Sequence, residues 1–216
     1  MTKKKKFLKG LYLVVDPSLP RKELFEKVRI ALSNGVAILQ IWDHWTLFDD
    51  EEDIYDFITQ LLSITSQFDC IVIINNRWEW LQEFSFEGVH FDQFPENLEE
   101  IRDEIGEERI IGITCGNNKV CVEKAGETNV DYISFCSIFP SSSAGDCEII
   151  DSGTVHYAAK QLRIPIFISG GINSDNLLTL SDWKFDGVAV ISGILNSENI
   201  ENSIKEYQKS FEKLGM

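Results

Sequence analysis

Leu11-Tyr12-Leu13-Val14-Val15-Asp16-Pro17 is the stretch on which the fold turns. Five apolar residues, two of them valines, are too few for a helix and suit a strand buried on both faces. The Asp-Pro that ends the run stands where a doubly wound nucleotide-binding sheet would carry G-x-G-x-x-G. Outward from it, the same kind of short apolar run recurs at 36–41, 70–74, 88–91, 109–113, 132–135, 165–169 and 187–191. The segments between carry apolar residues at helical spacing, such as Leu24, Val28, Ala31 and Leu32, or Ile54, Phe57, Ile58, Leu61 and Leu62. Strand and helix thus alternate without a composition break, which predicts a parallel sheet with helical crossovers. An open sheet would leave two edges, and closure removes them. The expectation is an α/β chain forming a single (β/α)8 TIM barrel over residues 11–216, preceded by a basic arm over residues 1–10.

Composition narrows the function. The chain has 216 residues, 44% of them hydrophobic, and a formal net charge of −15. That balance argues against a broad nucleic-acid or anionic-membrane surface, so any anion must be held locally. The lysines at 3–6 read as a solvated arm and not a signal peptide, because Lys9, Gly10 and Asp16 interrupt the apolar stretch and no small-residue cleavage site follows. No apolar run approaches the ~18 residues of a membrane span. The five cysteines contain no C-x-x-C pair, which fits reduced thiols in a cytoplasm and argues against structural zinc.

In a barrel of this kind chemistry belongs at the C-terminal strand ends, and phosphate is commonly gripped after strands seven and eight. Strand seven ends in Ser169-Gly170-Gly171-Ile172-Asn173, where two glycines let backbone amides approach an anion and a helix start adds its dipole. Strand eight ends in Ile191-Ser192-Gly193, and strand six leads into the hydroxyl-rich Phe139-Pro140-Ser141-Ser142-Ser143. Strand two delivers Gln40, Trp42 and His44 in alternation, toward one face. Asn75 reads either as a core amide or as a group facing a substrate, and Arg77 as a helix start or a site residue. His90 reads as a satisfied barrel histidine before an acid or base, and His156 as a surface residue. The acidic run at 49–53 reads as a helix start, where carboxylates suit the dipole.

Several ordered strings together resemble a known family: Leu11 to Asp16, Gln40, Ile73-Ile74-Asn75, Gly88-Val89-His90, Asp131-Tyr132-Ile133, Ile138-Phe139-Pro140, Ser169-Gly170-Gly171-Ile172 and Asp186 to Ser192. They are similar to the thiamine phosphate synthase and thiazole tautomerase superfamily, along essentially the whole chain. The resemblance implies an enzyme of thiamine biosynthesis that joins hydroxymethylpyrimidine diphosphate to thiazole phosphate, releasing pyrophosphate with magnesium. It further implies a cytoplasmic homodimer whose partner is a small phosphorylated heterocycle, with no nucleic acid and no membrane.

Carried over by residue, the resemblance places Gln40, Asn75 and Thr114 in the catalytic group. Ser141, Ser143, Gly170, Gly171, Ile191 and Ser192 then fall on the thiazole-phosphate end, while Trp42 and His44 face substrate. The pyrophosphate end departs from the pattern. Family Gln-x-Arg-x-Lys is Gln40-x-Trp42-x-His44 here, a family lysine is Ala144, and the metal pair is reduced to Asn76 and Asp92, with Asp43 or Glu96 as stand-ins. The tautomerase histidine is Gly116. Trp42 and Trp45 offer a stacking face for a flat heterocycle, or else fill the mouth. Two other readings follow: a phosphate-binding barrel without catalysis, and an enzyme on another phosphorylated heterocycle.

Overall fold

A computed structural model describes residues 8–141 and 148–216. Eight parallel strands close into a barrel in sequence order: β1 (Gly10–Val15), β2 (Ile38–Ile41), β3 (Ile71–Asn75), β4 (Gly88–Phe91), β5 (Ile110–Thr114), β6 (Tyr132–Phe135), β7 (Ile166–Ser169) and β8 (Gly187–Val190), with β8 pairing back onto β1. Each strand matches an apolar run read from the sequence to within two residues at either end, with β1, β3 and β5 each reaching one residue beyond it, to Gly10, Asn75 and Thr114.

Outside the strands run α1 (Arg21–Ser33), α2 (Glu51–Thr65), α3 (Leu98–Ile105), α4 (Lys119–Glu127), α5 (Ser152–Gln161), α6 (Ser174–Leu177), α7 (Ser192–Leu195) and α8 (Ile200–Leu214). The acidic run does start a helix: Asp50 caps α2 by accepting from the Asp53 N–H. Two connections are shorter than expected. Between β3 and β4 the chain makes only a 3-10 turn, Trp78–Leu81. After β7, α6 is four residues long, so the dipole expected there is that of a single turn, although Asn173 caps it with a full capping box.

Strand parity produces two cores. Outward residues such as Leu11, Leu13, Leu39, Ile74, Ile111 and Val188 pack under the helices. Inward residues fill the barrel: Tyr12, Ile38, Ile73, Ile110, Tyr132 and Phe167 form a separate cluster, with Tyr12, Tyr132 and Phe167 meeting edge to face at centroid distances of 5.3–6.3 Å. Two glycines make room for these rings. A Cβ on Gly112 would lie 2.1 Å from the Tyr132 ring, and one on Gly187 would lie 2.4 Å from Phe167.

The opposite, N-terminal end is closed by acids placed just before even-numbered strands. Glu87, Asp131 and Asp186 accept from the N–H groups of Val72, Ile111 and Ile166, on the strand preceding each. Asp131 also holds the Arg102 guanidinium at 2.9 Å, and Arg102 donates as well to the carbonyls of Gly106, Arg109 and Asn129.

Candidate functional site

The C-terminal mouth opens into a cavity of about 1440 Å³. Of the residues singled out from the sequence, Gln40, Trp42, His44, Thr114, Ser141, Gly170, Gly171, Ile191 and Ser192 line it. Ser143 lies outside the described residues.

The two glycines of the β7 turn are dictated by backbone and by space. They take φ +91 and +64, and a Cβ on them would strike Ser137 at 2.4 Å and Pro140 at 2.6 Å. The turn is stitched to the β6 loop by Ile138 and Phe139 N–H groups donating to the Ser169 and Gly170 carbonyls. The Gly171 and Ile172 N–H groups find no acceptor among the described residues, and both residues line the cavity. From behind, Tyr207 of α8 donates to the Ile172 carbonyl at 2.8 Å.

Beneath the mouth a single hydrogen-bonded chain crosses the barrel. Tyr12 donates to Gln40 Oε1 at 2.5 Å, Tyr12 and Tyr132 hydroxyls lie 3.0 Å apart, and Tyr132 meets His90 Nδ1 at 2.8 Å. His90 Nε2 then meets Thr114 Oγ1 at 2.8 Å, and Thr114 meets Ser134 Oγ at 3.1 Å. One proton per hydroxyl fixes the direction. Because the Tyr12 proton goes to Gln40, Tyr132 must donate to Tyr12 and His90 Nδ1–H to Tyr132. Nε2 is then an acceptor, taking the Thr114 proton, and Thr114 in turn accepts from Ser134. Burial holds the chain neutral: it pushes the His90 imidazole down to about 4 and both phenols well above their ordinary value. The two ends differ in polarity. The Gln40 NH2 is offered at one end and the lone pairs of Ser134 at the other, both on residues that line the cavity.

His90 is therefore the satisfied barrel histidine that strand reading favours. Tyr12, Tyr132 and Ser134 were not picked out from sequence. The available signal was parity: a phenol at an inward position of a barrel strand needs a polar partner.

Elsewhere the structure corrects the expectations. Asn75 is fully buried and does not line the cavity; its amide donates to the His90 carbonyl and to Asp92, and its oxygen accepts from the Asp43 N–H. It is a tie between strand ends, with both amide protons spent within the protein. Asn76, at φ +58, is engaged reciprocally with Asp92, donating to the carboxylate and accepting from its N–H. Trp45 packs into an outer aromatic cluster against Phe48, Phe57 and Trp80, while Trp42 remains at the mouth beside His44, ring centroids 4.7 Å apart. Arg77 lies outside the cavity, pairing with Asp43 at 2.9 Å and lying over Trp80. His156 is half-buried, against the Asp182 carbonyl.

These contacts also test the magnesium expectation. Asp92 spends both carboxylate oxygens on the Asn75 and Asn76 amides, and the Asn76 oxygen is turned to the Asp92 N–H. Among the described residues no three acidic, histidine or cysteine side chains gather as metal ligands. Asn76 and Asp92 as arranged do not make a magnesium site, since that ion needs several free oxygen ligands in near-octahedral array.

The charge lining the mouth is largely negative. Asp16, Asp92 and Glu148 face one ammonium among the described residues, Lys124, which sits 4.4 Å over the Phe94 ring. His44 is oriented by Asp16, whose carboxylate lies 3.0 Å from Nδ1. No helix in the described residues is long and apolar enough to cross a membrane.

Barrel, mouth cavity and amide turn together define a (β/α)8 protein that takes a small ligand at its C-terminal face. The family model described as thiamine monophosphate synthase matches residues 11–194, and the chain belongs to that family. It is 30% identical over 205 residues to a thiamine-phosphate synthase of Nitrosococcus oceani, covering 94% of this chain and 93% of the relative. A thiamine-phosphate synthase of Clostridium botulinum is 27% identical over 206 residues, 95% of each chain. In fold, the chain matches the structure of a thiamine phosphate pyrophosphorylase from Pyrococcus furiosus with a TM-score of 0.80 at 23% identity over 99% of both chains.

Proposed function

We propose that the chain acts in thiamine biosynthesis as a thiamine-phosphate synthase, joining a pyrimidine diphosphate to a thiazole phosphate. The observation that carries this reading is the single cavity that puts the Gly171 and Ile172 amides, Ser192 and Ser141 within the same mouth as Gln40 and Thr114. In the reaction the pyrimidine carbon–oxygen bond breaks, pyrophosphate leaves, and the thiazole nitrogen forms the new bond to that carbon. Charge, not proton transfer, dominates such a step. The neutral Gln40–His90–Thr114 chain suits it, presenting fixed dipoles without a competing acid or base. The carboxylates of Asp16 and Asp92 and the face of Trp42 favour a cationic pyrimidine. By the same likeness the protein is a cytoplasmic homodimer.

A second reading, a phosphate-binding barrel without turnover, draws on a specific observation: Lys124 is the one ammonium, with no guanidinium, on the described cavity wall. Single-turnover mixing of excess protein with both substrates and magnesium, following thiamine phosphate by the fluorescence of its oxidised form, decides between them. Product well above the protein-free control is expected. Its absence, with thiazole phosphate still raising the melting temperature, leaves the binding reading in possession.

A further inference from the structure

Ser137, in the turn after β6, whose carbonyl accepts from the Ile150 N–H, joins three further properties. Its backbone sits at φ +58, a region that non-glycine residues enter at a cost and keep mainly where the surroundings or a function require it. Its side chain is buried, with the residue 1% exposed, yet its Oγ has no hydrogen-bond partner. The residue also lines the mouth cavity. Among the described residues only one other buried side-chain polar atom is orphaned, Arg102 Nε, whose guanidinium already makes four hydrogen bonds at the far end of the barrel.

A buried hydroxyl without a partner forfeits its hydration for nothing in the free protein. Alanine would avoid that loss and glycine would also relieve the backbone, but the chain has serine. Next to it stand further unspent donors. Gly170 packs so closely that a Cβ there would fall 2.4 Å from the Ser137 N, and the Gly171 and Ile172 N–H groups that follow have no acceptor among the described residues. An O–H and two N–H groups on adjoining turns, none of them bonded to an acceptor among the described residues, match an oxyanion with several equivalent oxygens, as in a phosphoryl group.

We infer that Ser137 is a ligand-contacting residue, its hydroxyl donating to a phosphoryl oxygen of the phosphorylated heterocycle held at the β7 turn. The inference rests on the function proposed above and adds to it a contact from the β6 turn.

Calorimetric titration of wild type, Ser137→Ala and Ser137→Gly with thiazole phosphate, beside melting curves without ligand, tests it. Both variants should bind about tenfold more weakly or worse, as expected for loss of a hydrogen bond to a charged oxygen. Neither should melt below the wild type, because the free protein loses only an orphan hydroxyl. The dephosphorylated thiazole alcohol should not distinguish the three forms. Equal affinity for thiazole phosphate, or a lowered melting temperature with unchanged affinity, would overturn the inference and mark Ser137 as structural. If the wild type itself fails to bind thiazole phosphate, the functional reading falls separately, and inorganic phosphate titrated against the same three forms decides the role of Ser137.

Discussion

His90 shows how one buried side chain links stability to pH. Its imidazole is enclosed by Tyr132, Thr114 and Ser134, and stacks on the Tyr132 ring at 5.5 Å. Burial lowers its folded pKa to about 4 from 6.5. Between those values the unfolded chain binds a proton that the folded chain refuses, so stability is complete above about pH 6.5 and falls as pH drops toward about 4. Between about pH 7 and about pH 4.5 the wild type should lose roughly 2 kcal/mol more than a His90→Asn variant, as read by denaturant unfolding at each pH. Identical losses in both proteins would show that His90 takes up its proton in the folded state. Strand reading identified His90 as a barrel histidine, because alternation within Gly88-Val89-His90 sets which way it faces. The partners were not legible: Tyr12 and Tyr132 meet across 120 residues of chain, and nothing local in either strand names the other.

At the scale of elements, strands were legible because each is a dense apolar run, whereas the connection after β3 was not, because the alternation of strand and helix implies a helix where the chain makes only the 3-10 turn Trp78–Leu81. Of the acids before β4, β6 and β8, Asp131 and Asp186 belong to the family strings, but their role is a side-chain bond to a neighbouring strand, invisible to periodicity. Where one of them, Asp131, meets Arg102, the pair is mostly buried, with side-chain exposures of 11% and 5%. The Arg102 guanidinium joins α3 to the entries of β5 and β6, through the Arg109 and Asn129 carbonyls and Asp131. Removing the cation takes the counter-charge from the Asp131 carboxylate, which keeps its bond from the Ile111 N–H, and leaves three carbonyls short of a donor. Arg102→Met should therefore lower unfolding stability by about 3–5 kcal/mol, measured by chemical denaturation, with no direct effect at the mouth at the opposite end. A loss below about 1 kcal/mol would mean that water replaces the guanidinium at that end of the barrel.

For the whole molecule the governing quantity is charge. A chain of net charge −15 repels a diphosphate at long range, and the cavity offsets this poorly, with three carboxylates against Lys124 among the described lining residues. The monophosphate end proposed above would depend on neutral donors at Gly171, Ile172, Ser192 and Ser137, and would tolerate this field better than a diphosphate end. Trp42 and His44 stand where the family pattern places arginine and lysine, and both reach the cavity. Asp16 is already poised beside the His44 ring, so an ammonium there would gain a fixed carboxylate neighbour. The double substitution Trp42→Arg with His44→Lys should therefore tighten pyrophosphate binding at least tenfold, an effect on the order of one moderately screened charge pair. The gain should shrink at high salt, since these groups sit in an open mouth. Thiazole phosphate affinity should change little, because the site proposed for its phosphate is on the β7 and β8 side of the mouth. Calorimetric titration of both ligands at low and high salt reads all three effects. Unchanged pyrophosphate affinity would place the diphosphate away from β2, and with it the departing charge of the reaction.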